Sequence, residues 1–259
     1  MFTSLQCRTI PARNETVTNR LPLHWRNPTM DHVTHCNKNR SSVYHPKAFI
    51  RCAGSSIRWQ GVDGPKQMAR IAGESLLGRM VRQLHDLGYF DITIVASDPR
   101  IAHPDCTWFR PKLCRWTVET LLSTCHLWCA ANLVLLGDVY FTEQAMQQIA
   151  RCNRPLAVFG RPGPSRFTGS KWAEIFAVRI GKDCKAVIRQ ALTRAVRDAT
   201  RGGRGKLWEL YRVLTHQDLR HKRLTIFNHV FEVIDDLTDD IDTISEWRQL
   251  ESIVLANAA

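Results

Sequence analysis

The sequence predicts an α/β fold in which a mostly parallel sheet is covered by helices on both faces. Short apolar runs typical of buried strands alternate along the chain with segments of helical periodicity. The chain has 259 residues, of which 44% are hydrophobic, and this is enough to fill the core of one such domain.

The first 47 residues are predicted to form an extension outside this domain. They are polar, rich in Asn, Arg, His and Thr, and show no sustained period of either a strand or a helix. We therefore expect a partly disordered extension at 1–47 and one folded domain at 48–259.

The domain begins with a strand, a helix and a second strand. "AFIRCA" is an apolar run that ends at a turn, which predicts the first strand. The residues that then recur at helical spacing before Gly88 are Leu76, Leu77, Met80, Val81, Leu84 and Leu87. "DITIVAS" predicts the second strand.

The alternation continues after a stretch that is interrupted by prolines. "VETLLSTCHLWCA" predicts a helix, and "NLVLLGDVYF" predicts a buried strand. "TEQAMQQIA" predicts a helix capped by Thr142. "PLAVFG" and "EIFAVRI" are predicted to be further strands, and the loop between them is rich in turn formers and cations.

The formal charge of +12 indicates attraction to anions, such as nucleic acid, a membrane surface or a phosphorylated ligand. Much of this charge lies in one third of the chain, at Arg189, Arg194, Arg197, Arg201, Arg204, Lys206, Arg212, Arg220, Lys222 and Arg223. We interpret this segment as a solvated helical surface rather than a nucleic-acid groove. "TRGGRGKLW" has Leu207 where a phosphate loop needs Ser or Thr, so it is predicted to be a flexible basic loop.

The nine cysteines are scattered and odd in number. The amino terminus has no apolar block typical of a secretion signal, and no run approaches the ~18 apolar residues of a membrane span. We therefore expect reduced thiols in a soluble, cytoplasmic protein that binds neither a membrane nor nucleic acid.

A turn of small residues follows the first strand, and it consists of Ala53, Gly54, Ser55 and Ser56. Its backbone N–H groups are accessible and can bind phosphate oxygens. Arg58 can add a forked donor, and Lys66, which follows Pro65, can add a point charge. The alternative is an ordinary strand-to-helix turn followed by two surface cations.

Two acidic positions are candidates for a metal site. Asp138 follows a strand that is too apolar for the surface, so its carboxylate needs a cation or hydrogen-bond donors. Asp240 and Asp242 alternate in sequence, so both point to one side of an extended chain, as an oxygen-coordinated cation requires. The alternatives are a helix cap for Asp138 and a solvated turn before the last helix for the other two.

These residues resemble the signature of the nucleotidyltransferases that activate sugar phosphates and related phosphorylated small molecules. That family has a small-residue turn with a glycine after its first strand, an arginine four residues later, and then a Pro-Lys pair. Gly54, Arg58, Pro65 and Lys66 match this signature. The resemblance covers about 49–255 and implies a three-layer αβα, Rossmann-like (GT-A-like) fold with a mixed, mostly parallel sheet.

The resemblance implies a Mg²⁺-dependent enzyme that transfers a nucleoside monophosphate from a nucleoside triphosphate (NTP) to a phosphorylated or phosphonate acceptor, releasing pyrophosphate. Arg58 and the turn amides would hold the β and γ phosphates, and Lys66 would neutralise charge at the α phosphate. Asp138 and Asp242 would hold the metal ion, with Asp240 contributing through water or not at all. The acidic closing motif is most similar to relatives that use CTP and phosphocholine-like acceptors.

Three further residues are assigned with alternatives. Glu174 is implied by the resemblance to contact the acceptor, and Trp172 can stack on a base, enclose a cationic head group or simply pack. Thr117 resembles the family segment near the nucleotide base, although a capping role explains it as well. Two other functions remain open, namely a GT-A glycosyltransferase that uses a nucleotide sugar and a catalytically inactive, basic nucleic-acid-binding protein.

Overall fold

The structure is a computed structural model that describes residues 46–54, 58–59, 64–220 and 224–258. The described elements of the first half are β1 (Lys47–Arg51), β2 (Arg70–Ile71), β3 (Glu74–Ser75), α1 (Leu76–Asp86), β4 (Asp91–Val95), β5 (Thr107–Phe109), α2 (Thr117–Ser123) and β6 (Ala131–Leu136). Those of the second half are β7 (Val139–Tyr140), α3 (Glu143–Arg151), β8 (Leu156–Arg161), β9 (Glu174–Gly181), α4 (Lys185–Ala199), α5 (Leu207–Leu214), β10 (Phe231–Val233), β11 (Asp239–Asp240) and α6 (Ile244–Ala258). The predicted extension lies outside the described residues except for its last two positions.

Seven strands form one sheet in the order β10, β8, β9, β6, β1, β4, β5. β9 runs antiparallel to its neighbours β6 and β8, and the other neighbouring pairs are parallel. Arg51 at the end of β1 is in register with Val95 of β4 and Leu136 of β6, so these three strands end at one edge. The predicted mixed, mostly parallel sheet is confirmed.

Helices cover both faces of the sheet. Successive residues of a strand point to opposite faces, so each strand contributes side chains to two cores. Ile50 of β1 belongs to the buried core that includes side chains of α1, α3 and α6. Phe49 belongs to the core that includes side chains of α2, α4 and α5. The predicted three-layer αβα fold is therefore confirmed. None of the described helices is long and apolar enough to cross a membrane.

Side-chain caps fix the starts of α3 and α6. The hydroxyl of Thr142 accepts a hydrogen bond from the Ala145 N–H at 3.0 Å, which confirms the predicted cap of α3. At α6, the Thr243 hydroxyl accepts from the Glu246 N–H at 3.2 Å, and the Glu246 carboxylate accepts from the Thr243 N–H at 2.8 Å. This reciprocal pair fixes where the chain leaves β11 and enters the last helix.

The buried strand predicted for "NLVLLGDVYF" is interrupted in the structure. β6 ends at Leu136, and β7 begins only at Val139. Gly137 donates its N–H to the Arg51 carbonyl at 2.9 Å, and a Cβ at this position would collide with Cys52 Sγ. Only glycine fits this close approach, so the chain leaves the sheet here and directs Asp138 away from the core.

Two other predictions are also corrected by packing. The helix predicted for "VETLLSTCHLWCA" is too long, because α2 ends at Ser123 and a 3₁₀ turn follows at Cys125–Leu127.

The flexible basic loop predicted for "TRGGRGKLW" is only partly correct, because part of this segment is held in place. The Gly205 carbonyl accepts from the Val118 N–H at 3.1 Å, and the segment then enters α5, where Leu207 is buried.

Candidate active site

Two distant segments of the chain meet at the edge where β1 and β6 end. β7 and β11 pair antiparallel, with Val139 opposite Asp240, and the Ile241 N–H donates to the Asp138 carbonyl at 2.9 Å. This pairing places the acidic segment 239–242 beside Asp138. The structure thus brings together the three carboxylates that the sequence nominates as metal ligands.

Lys66 lies between two of these carboxylates. Its Nζ is 2.5 Å from Asp138 Oδ2 and 3.0 Å from Asp242 Oδ1, and the residue is only 8% exposed. Arg58 is mostly exposed and pairs with the other carboxylate oxygen of Asp242. Both predicted phosphate-binding cations are therefore held by carboxylates, and a bound phosphate chain would compete for them.

The charges of this cluster keep one another ionised. Burial lowers the pKa of Lys66, but the charges of Asp138 and Asp242 outweigh it, so the pKa lies above its ordinary value. Burial raises the pKa of Asp138, but the charge and hydrogen bond of Lys66 outweigh it, so this pKa lies below its ordinary value. Both groups are charged at neutral pH.

Asp240 and Glu174 hold protons more tightly than an ordinary carboxyl group. Burial, together with the charges of Glu174 and Asp242, raises the pKa of Asp240 well above its ordinary value. Burial raises the pKa of Glu174 to about 7, with Lys206 opposing the shift and Asp242 reinforcing it. Within the described part of the chain, Asp240 Oδ1 is buried without a hydrogen-bond partner, so it needs a proton or a cation.

Asp138 and Asp242 have the chemistry of Mg²⁺ ligands, because both present hard carboxylate oxygens. No group of three or more Asp, Glu, His or Cys side chains among the described residues is arranged to hold a metal ion. Mg²⁺ at nucleotide sites usually takes one or two carboxylates and completes its shell with water and phosphate oxygens. The two carboxylates around Lys66 fit this pattern, and the unpartnered oxygen of Asp240 is a further ligand candidate.

Ala53 and Gly54 are the described part of the small-residue turn. Ala53 is buried, whereas Gly54 lines the cleft with a φ of +141°, a conformation that disfavours a side chain. Ser55 and Ser56 lie outside the described residues, so their nucleotide-binding role stays a prediction.

A cleft of about 320 Å³ contains the cluster around Lys66. Thr117, the first residue of α2, lines it together with three residues that the sequence interpretation did not select, namely Arg51, Trp116 and Lys206. The signal for Arg51 is a charge within the apolar run "AFIRCA". Trp116 and Lys206 carry no such signal, because only the packing of distant segments brings them to the cleft.

Trp172 lies outside this cleft, although Glu174 lines it. Trp172 is 75% exposed and borders a neighbouring cavity of about 630 Å³, together with Arg201, Arg204 and Arg220. Arg204 borders both cavities. The predicted substrate contact of Trp172 therefore gains no support from its position.

Asp239, to which the sequence analysis gave no role, anchors the loop between β8 and β9. It is fully buried and accepts hydrogen bonds from Arg161 Nη2 and Thr168 Oγ1, both at 2.8 Å, and a third from Ser165. Because Asp239 directly precedes Asp240, these bonds also fix β11 at the cleft.

Comparison with known proteins identifies one family. A family model described as a MobA-like NTP transferase domain matches residues 48–191. The matched range contains Gly54, Lys66, Asp138 and Glu174 but ends before Asp242. A comparison with curated protein sequences gives no significant match.

Several solved structures share the fold. CTP:phosphocholine cytidylyltransferase from Streptococcus pneumoniae is 15% identical, with a TM-score of 0.55 over 81% of this chain and 99% of that chain. A putative glucose-1-phosphate thymidylyltransferase from Bacillus anthracis is 11% identical, with a TM-score of 0.55 over 80% and 94%. A UDP-glucose pyrophosphorylase complexed with UDP-glucose is 11% identical, with a TM-score of 0.56 over 82% and 98%. At these identities the likeness establishes the fold alone.

Proposed function

The chain belongs to the family of MobA-like NTP transferase domains and is a nucleotidyltransferase, and from this premise we propose a Mg²⁺-dependent reaction with a small phosphorylated or phosphonate acceptor. An oxygen of the acceptor attacks the α-phosphorus of the nucleoside triphosphate and forms a new P–O bond. The bond from that phosphorus to the bridging oxygen of the β phosphate breaks, and pyrophosphate leaves with the bonding electrons.

The observation that carries the proposal is the position of Lys66 between Asp138 and Asp242. A buried ammonium with strong ion pairs stays charged throughout the reaction and does not act as a base. At the α phosphate it would offset the negative charge that develops in the transition state. Arg58 is more exposed and would bind the β and γ phosphates with the amides of the turn at Gly54.

Asp138 and Asp242 would hold Mg²⁺, with Asp240 as a third contributor. When bound, Mg²⁺ neutralises phosphate charge and orients the phosphate oxygens. The carboxylates also act without it, because their ion pairs fix the position of Lys66. This arrangement prevents the ammonium from folding back onto the protein surface and keeps it at the place of transfer.

The acidic groups of the cleft favour an acceptor with a cationic part. Glu174 and Asp240 border the space next to the transfer centre, and a positive head group would offset their charge when they ionise. CTP and phosphocholine, the substrates in the name of one structural neighbour, are therefore the first pair to assay. The predicted cytoplasmic location agrees with a supply of nucleoside triphosphates.

A substrate screen tests this function. CTP, GTP, UTP and ATP would each be combined with phosphocholine, glucose 1-phosphate and an alkylphosphonate, and pyrophosphate release would be measured with and without Mg²⁺.

We expect Lys66→Ala to lower kcat by roughly 10²–10³-fold, in line with the loss of one charge-stabilising donor.

The matched control is Lys182→Ala, an exposed lysine directly after β9 at the opposite edge of the sheet. It should retain full turnover. Equal turnover of the Lys66 and Lys182 variants, both shown to be folded, would contradict the proposed role of Lys66.

A further inference from the structure

Arg51 is a cation of the cleft to which the proposed reaction assigns no role. It is the last residue of β1 and precedes the small-residue turn, so it lies outside the signature that the chain shares with nucleotidyltransferases. Its backbone is fixed because β1 is paired on both sides, with Arg51 in register with Val95 and Leu136. Its side chain therefore projects into the cleft from a rigid element.

The guanidinium of Arg51 lies next to the turn and close to Asp138. A Cβ added at Gly54 would lie 3.1 Å from Arg51 Nη2. The Arg51 carbonyl accepts from the Gly137 N–H at 2.9 Å, and Gly137 directly precedes Asp138. Burial lowers the pKa of Arg51, and the charge of Asp138 opposes this shift. Arg51 thus adjoins both the turn proposed for the β and γ phosphates and the Asp138–Lys66 pair proposed for the α phosphate.

The side chain of Arg51 has donors that the protein does not use. Among the described residues, none accepts a hydrogen bond from it or forms an ion pair with it. Its Nε is buried, and the two Nη groups are the part of the fork that a ligand in the cleft can reach. Arg58 and Lys66, by contrast, are both paired with Asp242. An anion can therefore bind Arg51 without displacing a carboxylate, and its oxygens would satisfy these donors.

We propose that Arg51 is a third phosphate-binding cation, which donates hydrogen bonds to the β phosphate beside the bond that breaks. This role rests on the nucleotidyltransferase reaction proposed above. When the bond from the α-phosphorus to the bridging oxygen breaks, its electrons pass to that oxygen, and negative charge develops on the leaving pyrophosphate. The guanidinium forms charge-assisted hydrogen bonds with this group and keeps its own protons, so its contribution is greatest in the transition state.

Binding of inorganic pyrophosphate and tripolyphosphate, measured by calorimetry with and without Mg²⁺, tests this role without requiring turnover. Arg51→Met removes the donors and should weaken both anions by roughly 10–100-fold, as expected for the loss of hydrogen bonds to a charged group. Arg51→Lys keeps the charge without the fork and should recover part of this loss. In turnover assays, Arg51→Met should lower kcat as well as raise KM for the nucleoside triphosphate, because the contact strengthens as pyrophosphate leaves.

The matched control is Arg179→Met. Arg179 is also a half-buried arginine on a strand of the sheet, but it lies opposite Leu133 of β6 and donates to the Arg154 carbonyl at 3.1 Å. This variant should keep the wild-type affinity for both anions.

Equal affinities of the wild type and folded Arg51→Met for both anions, or no binding by the wild type, would overturn the proposal. A loss seen only with Mg²⁺ would also overturn it, since Arg51 would then act through Asp138. If Arg51→Met does not fold, Arg51→Lys decides alone, and wild-type affinity in that variant would refute the forked contact. A protein whose anion binding depends on Arg51 but that releases no pyrophosphate in the substrate screen would instead contradict the proposed function alone.

Discussion

The cleft and the outer face of α4 are both rich in cations, but the cations are arranged differently. In the cleft, Lys66 and Arg58 are engaged by carboxylates. On α4, Arg194 and Arg197 are exposed and form no ion pair among the residues that the structure describes. The first arrangement holds each charge at a defined position, and the second leaves the charges in water.

This difference explains why the net charge is a poor guide to the site. Arginines in water are screened within about 10 Å at moderate ionic strength, so they attract anions without orienting them. Lys66 is buried and is therefore screened much less, and its carboxylate partners hold it ready for exchange with phosphate. Chemistry is therefore expected to depend on the paired cluster and to tolerate changes on α4.

The largest effect should come from the carboxylates of the paired cluster. Asp138→Asn and Asp242→Asn should each lower kcat/KM by roughly 10²–10³-fold and shift the Mg²⁺ requirement to higher concentration, because each removes a proposed metal ligand and a partner of Lys66. Asp240→Asn should shift the Mg²⁺ requirement only modestly. The measurement is turnover as a function of Mg²⁺ concentration.

Asp235→Asn provides the control for these variants, since Asp235 is exposed and pairs with Arg166 away from the cleft. A severe loss of turnover in Asp240→Asn with a mild loss in Asp242→Asn would mean that Asp240, rather than Asp242, is the second metal ligand. Full activity in all three cleft variants would refute a role for these carboxylates in the reaction.

An intermediate effect is expected on stability from Glu174. Its pKa of about 7 in the folded protein lies above the ordinary value of a glutamate, so the folded state binds a proton that the unfolded state has released. This contribution to stability is complete below the unfolded pKa and is lost as the pH rises through about 7. Glu174→Gln should therefore be more stable than the wild type at pH 8.5, by on the order of 2 kcal/mol, and nearly equal to it near pH 4.5.

Urea unfolding of both proteins across this pH range measures the effect. Mg²⁺ should reduce the difference between them, because a nearby cation stabilises the ionised carboxylate. Asp183→Asn, at an exposed position after β9, should leave the pH profile unchanged. A constant stability difference between Glu174→Gln and wild type at all pH values would contradict the raised pKa.

The smallest effect is expected on the outer face of α4. A double change of Arg194→Gln and Arg197→Gln should alter kcat/KM by less than about 2-fold at moderate salt, because solvated charges contribute little through screened interactions. Turnover of this variant would be compared with that of the wild type at low and moderate salt. A loss comparable to that of Lys66→Ala would show that the two cationic regions do not differ as described.

Local sequence patterns predicted much of the fold because their physical causes are local. Helical spacing before Gly88 predicted α1, and Thr142 predicted the cap of α3. The predictions failed where contacts between distant segments of the chain determine the local structure. Gly137 breaks the strand prediction through its close approach to Cys52, and the "TRGGRGKLW" segment is held partly by its contact with α2.

The sequence by itself predicted the mixed α/β fold, because alternating periodicity is a property of neighbouring residues, and it nominated Lys66, Asp138 and Asp242 as candidate site residues. It did not determine that Lys66 joins the two carboxylates, which depends on the pairing of β7 with β11 across a long stretch of chain. It also left Arg51, Trp116 and Lys206 unassigned. Only tertiary structure decided these positions, since the surroundings of a side chain at a cleft are set by segments that approach from elsewhere in the chain.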